Sequence, residues 1–431
     1  MHSPNMKLRI AILALAGLGA AAASIQTEQN EGHGIAQRAA WPNGPFVTDG
    51  RWIRDASGVN LTYAGTNWPG HADVMIPEGL QYQSIATIVS KVKSLGMNAI
   101  RLTFAIQMVD EIYANSGKDI TLEKAFVQAL GQANGIKILN QVIAKNPIFN
   151  ASTTRLQVFD AVAAELTKQQ IYIHLDNHIS KGMWCCSTDD GNSWWGDKYF
   201  NTTNWTRGLA YMADHAKSWP GFVSIGLRNE PREPTTSATS KATYNWQSWY
   251  TFMKRGAEAV HTANPAPLIF LSGLSYDTYM TPVVQGTALS PGTEKFSKAD
   301  FPGYGNKLVI EIHNYETGAT SCPNLQNNLY KNGFQALTPS AANMFPVMMT
   351  EFGFAMDAST WKGVYASCLA TYLPAQKAGW TIWVLAGSYY IRSGKQDYDE
   401  DWGLLNHDWS AWRSPGYING ALLGMVKNTL S

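Results

Sequence analysis

The sequence predicts an α/β protein of the (β/α)8 barrel (TIM barrel) class. Apolar segments typical of buried strands alternate with segments typical of helices, a pattern that indicates parallel strands joined by crossover helices. Eight such strands can be counted between residues 61 and 385. Polar side chains follow several of them, at the strand ends where a barrel of this class carries its functional residues.

The elements in chain order begin with a small hairpin at 46–58, in which two short strands flank the Asp-Gly at 49–50. The barrel strands are predicted at 61–66, 98–103, 171–176, 222–228, 268–273, 307–312, 346–350 and 380–385. The helices are predicted at 84–95, 153–169, 205–218, 242–263, 359–376 and 416–428. Because no Pro-, Ser- or Thr-rich linker and no internal repeat interrupts this order, residues 41–431 are expected to form a single domain.

The N-terminus is typical of a secretory signal peptide at 1–24. Lys7 and Arg9 precede an apolar run at 10–23, and small residues at its end suit cleavage. The run is too short to span a bilayer. Residues 25–40 are polar, and we expect them to form a disordered leader or short propeptide. The protein is therefore expected to be secreted and extracellular.

Composition excludes several classes of partner. The chain has 431 residues, a formal net charge of +1 and no run of like charges, which argues against nucleic acid and against an anionic membrane surface. The sequence contains 16 Trp and 19 Tyr; flat aromatic faces suit sugar rings, although core packing accounts for most of them. His174 and His178 are four residues apart, but HLDNH lacks the glutamate of the zinc-protease motif. No metal and no cofactor are expected.

The four cysteines indicate two disulfides, because an even count is typical of an oxidising compartment. Three connectivities exist. We favour Cys322–Cys368, which would tie a loop to a later helix. This choice leaves the adjacent Cys185 and Cys186, whose pairing stays open because a vicinal bridge strains its peptide. Four Asn-X-Ser/Thr sequons are candidates for glycosylation: Asn60, Asn150, Asn201 and Asn204.

Two glutamates directly follow strand-like runs. Glu230 lies in LRNEP after FVSIGL, and Glu351 lies in TEFGF after FPVMM. Hydrolysis of a glycosidic bond needs two carboxyl groups that face each other across the bond, one protonated and one ionised. Parallel strands of a barrel would bring both groups to the same face. The alternative is a pair of surface loop glutamates without a joint role.

Further polar residues lie at strand ends, and each has a chemical task available. Arginine and histidine can hold a carboxylate ionised and correctly aimed. Asparagine beside the acid can bond the sugar 2-hydroxyl, tyrosine can donate to the nucleophile, and tryptophan can form the floor under the reacting sugar. The candidate residues are Arg101, which ends the second strand, His178 after the third, Asn229 beside Glu230, His313 and Tyr315 after the sixth, and Trp383 in the eighth.

With these residues the sequence resembles glycoside hydrolase family 5, the cellulase-type family of the clan that places its two glutamates on barrel strands four and seven. The resemblance covers roughly residues 45–428. It implies a retaining double displacement with Glu230 as general acid/base and Glu351 as nucleophile, and carboxyl groups roughly 5–5.5 Å apart. The family motif has eight positions, which match Arg101, His178, Asn229, Glu230, His313, Tyr315, Glu351 and Trp383 in order.

Two further segments, 183–200 (MWCCSTDDGNSWWGDKYF) and 388–406, resemble the long loops of a little-characterised fungal and plant branch of that family. Both loops are expected to overhang the catalytic face. Their candidate substrate contacts are Trp184, Trp194, Trp195, Tyr389, Tyr390 and Arg392. The alternative is that these side chains pack the two loops against each other.

The expected function is a retaining β-glycoside hydrolase that acts on a β-linked glycan as a monomer, with endo-β-1,4-glucanase as the default activity. The same eight residues also serve β-1,3- and β-1,6-glucanases, mannanases, glycosylceramidases and diglycosidases, so the catalytic pair does not separate these activities. A transglycosylase is a further alternative. An inactive glycan-binding barrel is disfavoured because both glutamates are present.

Overall fold

The computed structural model describes residues 41–431. The predicted signal peptide at 1–24 and leader at 25–40 lie outside the described residues. The predicted N-terminal hairpin is present and pairs with a third short strand. These antiparallel strands are β1 (Val47–Asp49), β2 (Trp52–Arg54) and β3 (Asn60–Leu61).

Eight parallel strands form the closed barrel that the sequence predicts. Each strand pairs with the next one along the chain, and the last pairs with the first, so every strand has two neighbours. The strands are β4 (Ala64–Trp68), β5 (Ala99–Ala105), β6 (Tyr172–Ile179), β7 (Phe222–Gly226), β8 (Leu268–Leu271), β9 (Leu308–His313), β10 (Val347–Glu351) and β11 (Gly379–Ile382). A last antiparallel pair, β12 (Ser388–Arg392) and β13 (Lys395–Asp399), lies outside the barrel sheet.

The helices connect these strands and follow the predicted alternation. The α-helices are α1 (Ile85–Ser94), α2 (Ile106–Ala114), α3 (Leu122–Leu130), α4 (Gln132–Lys145), α5 (Arg155–Lys168), α6 (Thr202–His215), α7 (Ala238–Ala242), α8 (Trp246–Ala263), α9 (Leu274–Asp277), α10 (Thr281–Gln285), α11 (Cys322–Asn332), α12 (Val364–Ala375), α13 (Pro415–Tyr417) and α14 (Leu423–Leu430). Short 3-10 turns occur at Ala216–Ser218, Lys298–Asp300, Gly305–Lys307, Phe334–Leu337 and Thr360–Lys362, and a π-helical turn, Ile418–Leu422, joins α13 to α14. No helix of residues 41–431 is both long and apolar enough to cross a membrane.

The hairpin closes the end of the barrel at which the strands begin. Phe46 and Ile53 are buried in a small apolar cluster with Tyr63 and with the first residues of two barrel strands, Ala99 and Tyr172. Burial of these side chains is stabilised by the hydrophobic effect. The opposite end, where the strands finish, is therefore the end that can open to substrate.

Two helix tryptophans fix the backbone at that open end. The indole of Trp205 in α6 donates to the carbonyl of Leu227 at 2.9 Å, and the indole of Trp249 in α8 donates to the carbonyl of Ser272 at 2.7 Å. Both tryptophans are fully buried. A buried indole N–H that finds a carbonyl avoids the cost of an unpaired donor. The segments that leave β7 and β8 are held in place by these contacts.

Several element boundaries differ from the prediction, and each has a local reason. Leu61 pairs with Ile53 in the hairpin, so β4 begins at Ala64. Strand β6 runs on to Ile179 through a register shift against β5, which places His178 inside the strand and not after it. Arg101 lies in the middle of β5. The eighth strand ends at Ile382, so Trp383 follows it.

Both cysteine pairs are bonded, Cys185 to Cys186 and Cys322 to Cys368. The second bridge joins two helices, not a loop to a helix as expected, because Cys322 is the first residue of α11. That helix begins where the side chain of Ser321 accepts from the backbone N–H of Asn324 at 3.4 Å, a polar N-cap that the sequence offers but the prediction missed.

Candidate active site

A cavity of about 610 Å³ opens where the barrel strands end. A pocket of this size is typical of sites for small ligands. Its lining includes six of the eight residues singled out in the sequence: His178, Asn229, Glu230, Tyr315, Glu351 and Trp383. The other two, Arg101 and His313, are fully buried directly behind it.

Glu351 is the last residue of β10, and both its carboxylate oxygens accept hydrogen bonds. Oε1 accepts from Nη1 of Arg101 at 2.6 Å, and Oε2 accepts from the hydroxyl of Tyr315 at 2.9 Å. Only 4% of Glu351 is exposed. A charged donor on one side and a phenol on the other fix the direction of this carboxylate towards the cavity.

Arg101 is itself held by buried residues that the sequence reasoning did not single out. Its Nη1 also donates to Oδ1 of Asn67 at 2.9 Å, and its Nη2 lies 3.0 Å from Oδ1 of Asp176. Glu311 lies further off, at 3.9 Å from Nη2. All three side chains lie on barrel strands and are fully buried beside Arg101. The planar guanidinium can meet several oxygens at once, a geometry that lysine cannot offer.

Glu230 follows β7 in an uncommon backbone conformation. Its φ is 45°, in the left-handed region that residues with a Cβ rarely adopt. Neighbouring groups hold this conformation: Nη1 of Arg232 donates to the Glu230 carbonyl at 2.9 Å, and the N–H of Asn229 donates to the Asn177 carbonyl at 2.9 Å. The side chain then points at His313, whose Nδ1 lies 2.9 Å from Oε1 of Glu230.

The two glutamates face each other at short range across His313. Nδ1 of His313 is also 3.7 Å from Oε2 of Glu351. One oxygen from each carboxyl group and a ring nitrogen of His313 all lie within 4.8 Å of one another. The structure therefore brings the two predicted carboxyl groups together at the same face of the barrel.

The two carboxyl groups sit in different electrostatic surroundings. Burial raises the pKa of Glu230 to about 7, although Arg232 and Arg101 oppose the rise. Burial also raises the pKa of Glu351, again against the attraction of Arg101, which is bonded directly to this carboxylate. Burial lowers the pKa of His313 to about 4, so its imidazole is neutral at neutral pH. One carboxyl can thus stay protonated in mildly acidic solution while its partner has a guanidinium to stabilise its charge.

His178 and Trp383 form one wall of the cavity. The rings of His178 and Trp383 are stacked, with centroids 5.4 Å apart. Nδ1 of His178 lies 2.6 Å from Oδ2 of Asp176, which fixes the ring, and burial lowers the pKa of His178 well below its usual value. His71, which the sequence reasoning missed, packs on the other side with its ring centroid 3.9 Å from that of His178. Trp383 is thereby held in the cavity lining together with the two glutamates.

The loop after β6 and the β12–β13 hairpin meet at the rim of the cavity. The guanidinium of Arg392 lies 3.6 Å from the ring centroid of Trp184, and Nη1 of Arg392 lies 2.6 Å from Oε2 of Glu400. All three residues line the cavity. A cation held over an indole is an attractive contact. Of the six loop candidates, Trp184 and Arg392 reach the site.

The other four loop candidates are not brought to the cavity. Tyr390 is 2% exposed; its hydroxyl donates to the carbonyl of Pro77 and its N–H to Glu78, so it packs the hairpin onto a neighbouring loop. Tyr389 is fully buried against Trp184. Trp194 and Trp195 pack edge to face and bury themselves among other aromatic rings.

Among the described residues, three groups of side chains lie close enough to hold a metal ion. One contains His178 with the two cysteines, whose sulfurs are bonded to each other. The second is the pair of glutamates with His313, already engaged by Arg101 and Tyr315. The third, Asp277 and Glu311 with His313, is buried under the site. We assign no metal centre to any of them.

Sequence comparison identifies relatives along most of the chain. A glycosyl hydrolase 5 family protein of Chamaecyparis obtusa is 35% identical over 393 residues, 87% of this chain. The match covers 65% of that relative, so the chain spans less than two thirds of its length. An endoglucanase of Paenibacillus polymyxa is 24% identical over 394 residues, 88% of this chain and 87% of that protein.

Solved structures share the fold. The catalytic domain of the major endoglucanase from Xanthomonas campestris pv. campestris matches with a TM-score of 0.62 at 19% identity, over 88% of this chain and 99% of that one. A cellotetraose complex of an endocellulase from Pyrococcus horikoshii matches with a TM-score of 0.65 at 18% identity, over 90% and 98%. The family model described as Cellulase (glycosyl hydrolase family 5) matches residues 55–388. The chain belongs to glycosyl hydrolase family 5.

Proposed function

We propose that this protein is a retaining β-glycoside hydrolase. One observation carries the proposal: oxygens of Glu230 and Glu351 lie within 4.8 Å of one another. Retaining enzymes hold their two carboxyl groups about 5–5.5 Å apart, whereas inverting enzymes leave about 6.5–9.5 Å for a water molecule. The separation leaves no room for that water between the two groups, so Glu351 itself is the group that attacks the sugar.

The reaction proceeds in two displacements. Ionised Glu351 attacks the anomeric carbon while protonated Glu230 gives its proton to the departing glycosidic oxygen, which produces a glycosyl ester on Glu351. In the second step Glu230, now ionised, takes a proton from water as that water attacks the same carbon and releases Glu351. Arg101 and Tyr315 hold the attacking carboxylate, and Trp383 forms the floor under the reacting sugar.

The substrate that we propose is a β-1,4-glucan, cleaved internally. This choice is supported by family membership and by the relatives in Paenibacillus and Xanthomonas that are named endoglucanases. Secretion is proposed on the charged and apolar pattern of residues 1–24, and it suits a polymer outside the cell.

A second candidate is a glycosidase for short or branched glycosides. It is favoured by the wall that Trp184, Arg392 and Glu400 build at the rim of the cavity. An open groove binds a long chain on both sides of the scissile bond, whereas a wall on one side limits how many sugars fit there. The two candidates share their chemistry and differ in the length of glycan they accept.

A glycan panel separates the two, with the Glu351→Ala variant as the blank. The panel contains β-1,4-, β-1,3- and β-1,6-glucans, mannan, aryl glucosides and diglycosides, and glucosylceramide. We expect oligomers to be released from the β-1,4-glucan. If oligomers are released only from another polymer, the linkage of that polymer replaces the proposed β-1,4 linkage. Activity confined to short glycosides would establish the second candidate. Product analysis with and without an added sugar acceptor distinguishes hydrolysis from transglycosylation.

A further inference from the structure

The disulfide between Cys185 and Cys186 faces the cavity. Both cysteines line it, in the loop that follows β6. Nδ2 of Asn229, the residue beside the proposed acid, lies 3.5 Å from Sγ of Cys186 and 3.9 Å from Sγ of Cys185. Two sulfur atoms thus lie against an amide whose other neighbours belong to the catalytic centre.

The orientation of that amide is determined by its partners. Oδ1 of Asn229 accepts from Nη2 of Arg101 at 2.8 Å, so Nδ2 must point the other way, towards the sulfurs and towards Nε2 of His178 at 3.5 Å. Sulfur is a weak acceptor, and an N–H held against it stays available to a stronger acceptor such as a sugar hydroxyl. The disulfide holds the amide in place without satisfying its hydrogen bonds.

A purely structural role explains this bridge poorly. A disulfide restricts the unfolded chain more when it closes a longer loop, and here the two cysteines are adjacent. The bridge from Cys322 to Cys368 spans 46 residues and is the one that restrains the chain. The role of the bridge from Cys185 to Cys186 must therefore arise from the local contacts of its sulfurs with the Asn229 amide.

The loop around the bridge has other supports. Nε of Arg232 donates to the Ser187 carbonyl at 2.7 Å, and the guanidinium of Arg232 also pairs with Asp190. The N–H of Lys181 donates to Oδ1 of Asn192 at 2.9 Å. Arg232 is fully buried. We therefore expect the loop to keep its place when the cysteines are replaced.

We propose that the disulfide between Cys185 and Cys186 positions the Asn229 amide for a hydrogen bond with the 2-hydroxyl of the reacting sugar. Through Asn229 the disulfide would favour glycosides that carry that hydroxyl. The inference rests on the proposed function. Hydrogen bonds to the 2-hydroxyl strengthen in the transition state of glycoside hydrolysis, so a loosened Asn229 lowers the rate more than it lowers binding.

The test compares Cys185→Ala/Cys186→Ala with the matched control Cys322→Ala/Cys368→Ala, which removes the bridge whose cysteines do not line the cavity. Substrates are 2,4-dinitrophenyl β-cellobioside and its analogue without the 2-hydroxyl on the reacting sugar. For the first pair we expect kcat/KM to fall about tenfold on the parent substrate, mostly in kcat, and less than about threefold on the 2-deoxy analogue. We expect the control to lower Tm and to leave the ratio of kcat/KM on the parent substrate to kcat/KM on the 2-deoxy analogue unchanged.

A double-mutant cycle with Asn229→Ala separates positioning from general damage. If the sulfurs act through Asn229, removing them in the Asn229→Ala background costs no further activity. An equal loss on both substrates, additive losses in the cycle, or unchanged kinetics would each overturn the inference. If the wild type does not hydrolyse the cellobioside, the proposed glucanase function fails separately, and the same variants are compared on the substrate that the panel identifies and its 2-deoxy analogue.

Discussion

Nη1 of Arg101 lies 2.6 Å from Oε1 of Glu351, and the arginine is fully buried while the glutamate lines the cavity. The same guanidinium reaches Asn67 and Asn229, so a single cation links the proposed nucleophile to the residue beside the proposed acid. A buried charge pair of this kind is stable only when its remaining hydrogen bonds are satisfied, as most of them are here.

Replacement of Arg101 by lysine should therefore impair catalysis although it keeps the charge. Lysine is a point charge and cannot meet the three partners in one plane. We expect kcat/KM to fall about 100-fold or more, the range seen when a preorganised donor in an active site is lost. Steady-state kinetics measures the loss. Arg54→Lys, at an exposed pair with Asp49, is the control and should leave the rate unchanged; a similar loss in both variants would contradict this role for Arg101.

Activity should decline as pH rises through about 7. Burial raises the pKa of Glu230 to about 7, and the proposed acid works only while protonated, so the active fraction decreases above that pH. A pH profile of kcat/KM is the measurement: the wild type is assayed on an aryl glycoside with a poor leaving group, and Glu230→Gln on a dinitrophenyl glycoside, which needs little help from an acid. The alkaline limb should be present in the wild type with substrates that have poor leaving groups and absent in Glu230→Gln. A limb of equal size in both enzymes would assign it to another group.

Glu351→Ala should abolish turnover, and azide should restore part of it. The small anion fits the space left by the carboxylate and attacks the anomeric carbon directly, in one displacement. The product is then an α-glycosyl azide from a β-glycoside, which NMR of the product identifies. Glu316→Ala, another acidic residue of the cavity lining, is the control and should not respond to azide. A β-configured azide from the Glu351 variant would show that the nucleophile lies elsewhere.

Arg392→Ala should weaken binding of short substrates and spare the chemical step. The arginine stacks on Trp184 and pairs with Glu400, and no contact joins it to either of the two proposed catalytic carboxyl groups among the described residues. We expect KM for an aryl cellobioside to rise about fivefold with kcat within about twofold, the pattern of lost uniform binding. Lys395→Ala, on the exposed part of the same hairpin, should leave KM unchanged. A fall in kcat with unchanged KM would place Arg392 in the reaction itself.

Stability should depend strongly on a buried arginine away from the site. The side chain of Arg155 is inaccessible and pairs with Asp119 at 2.6 Å and with Glu111 at 2.7 Å. Arg155→Ala leaves the buried Asp119 without its charged partner and should cost about 3–5 kcal/mol of unfolding free energy. Arg54→Ala, which removes the exposed pair with Asp49, should lower the unfolding free energy by only about 0–1 kcal/mol. Urea denaturation of both variants provides the comparison; equal small losses would contradict the prediction.

The sequence predicts the barrel well because both the alternation of elements and the polar residues at strand ends are local signals. The eight motif residues all reach one end of the barrel for the same reason. The ends of the strands are not determined by the local sequence alone. Nothing within YIHLDNHI indicates that β6 continues to Ile179, because the register shift against β5 depends on the paired strand. Asn67 and Asp176 were not predicted, because their strands AGTNW and YIHLDNHI contain several polar residues and no local pattern distinguishes those that contact Arg101.

Loop aromatics could not be sorted from sequence. Trp184 reaches the cavity while Trp194 and Trp195 are buried, yet all three occur in the same loop. The direction of a side chain in a loop is set by distant partners, such as the contact of Trp184 with Arg392 across 208 positions of sequence. Tyr390 likewise turns to Pro77 and Glu78, which no local pattern around it indicates.

Glu351 is the last residue of barrel strand β10 and Glu230 lies shortly after β7, whereas Trp184 lies in the loop after β6 and Arg392 in the β12–β13 hairpin outside the barrel sheet. On the proposed function we therefore expect the barrel to set the stereochemistry of the product and the two loops to set the choice of glycan. A chimera that receives different segments at 183–200 and 388–406 should accept a different glycan and still release the same anomer.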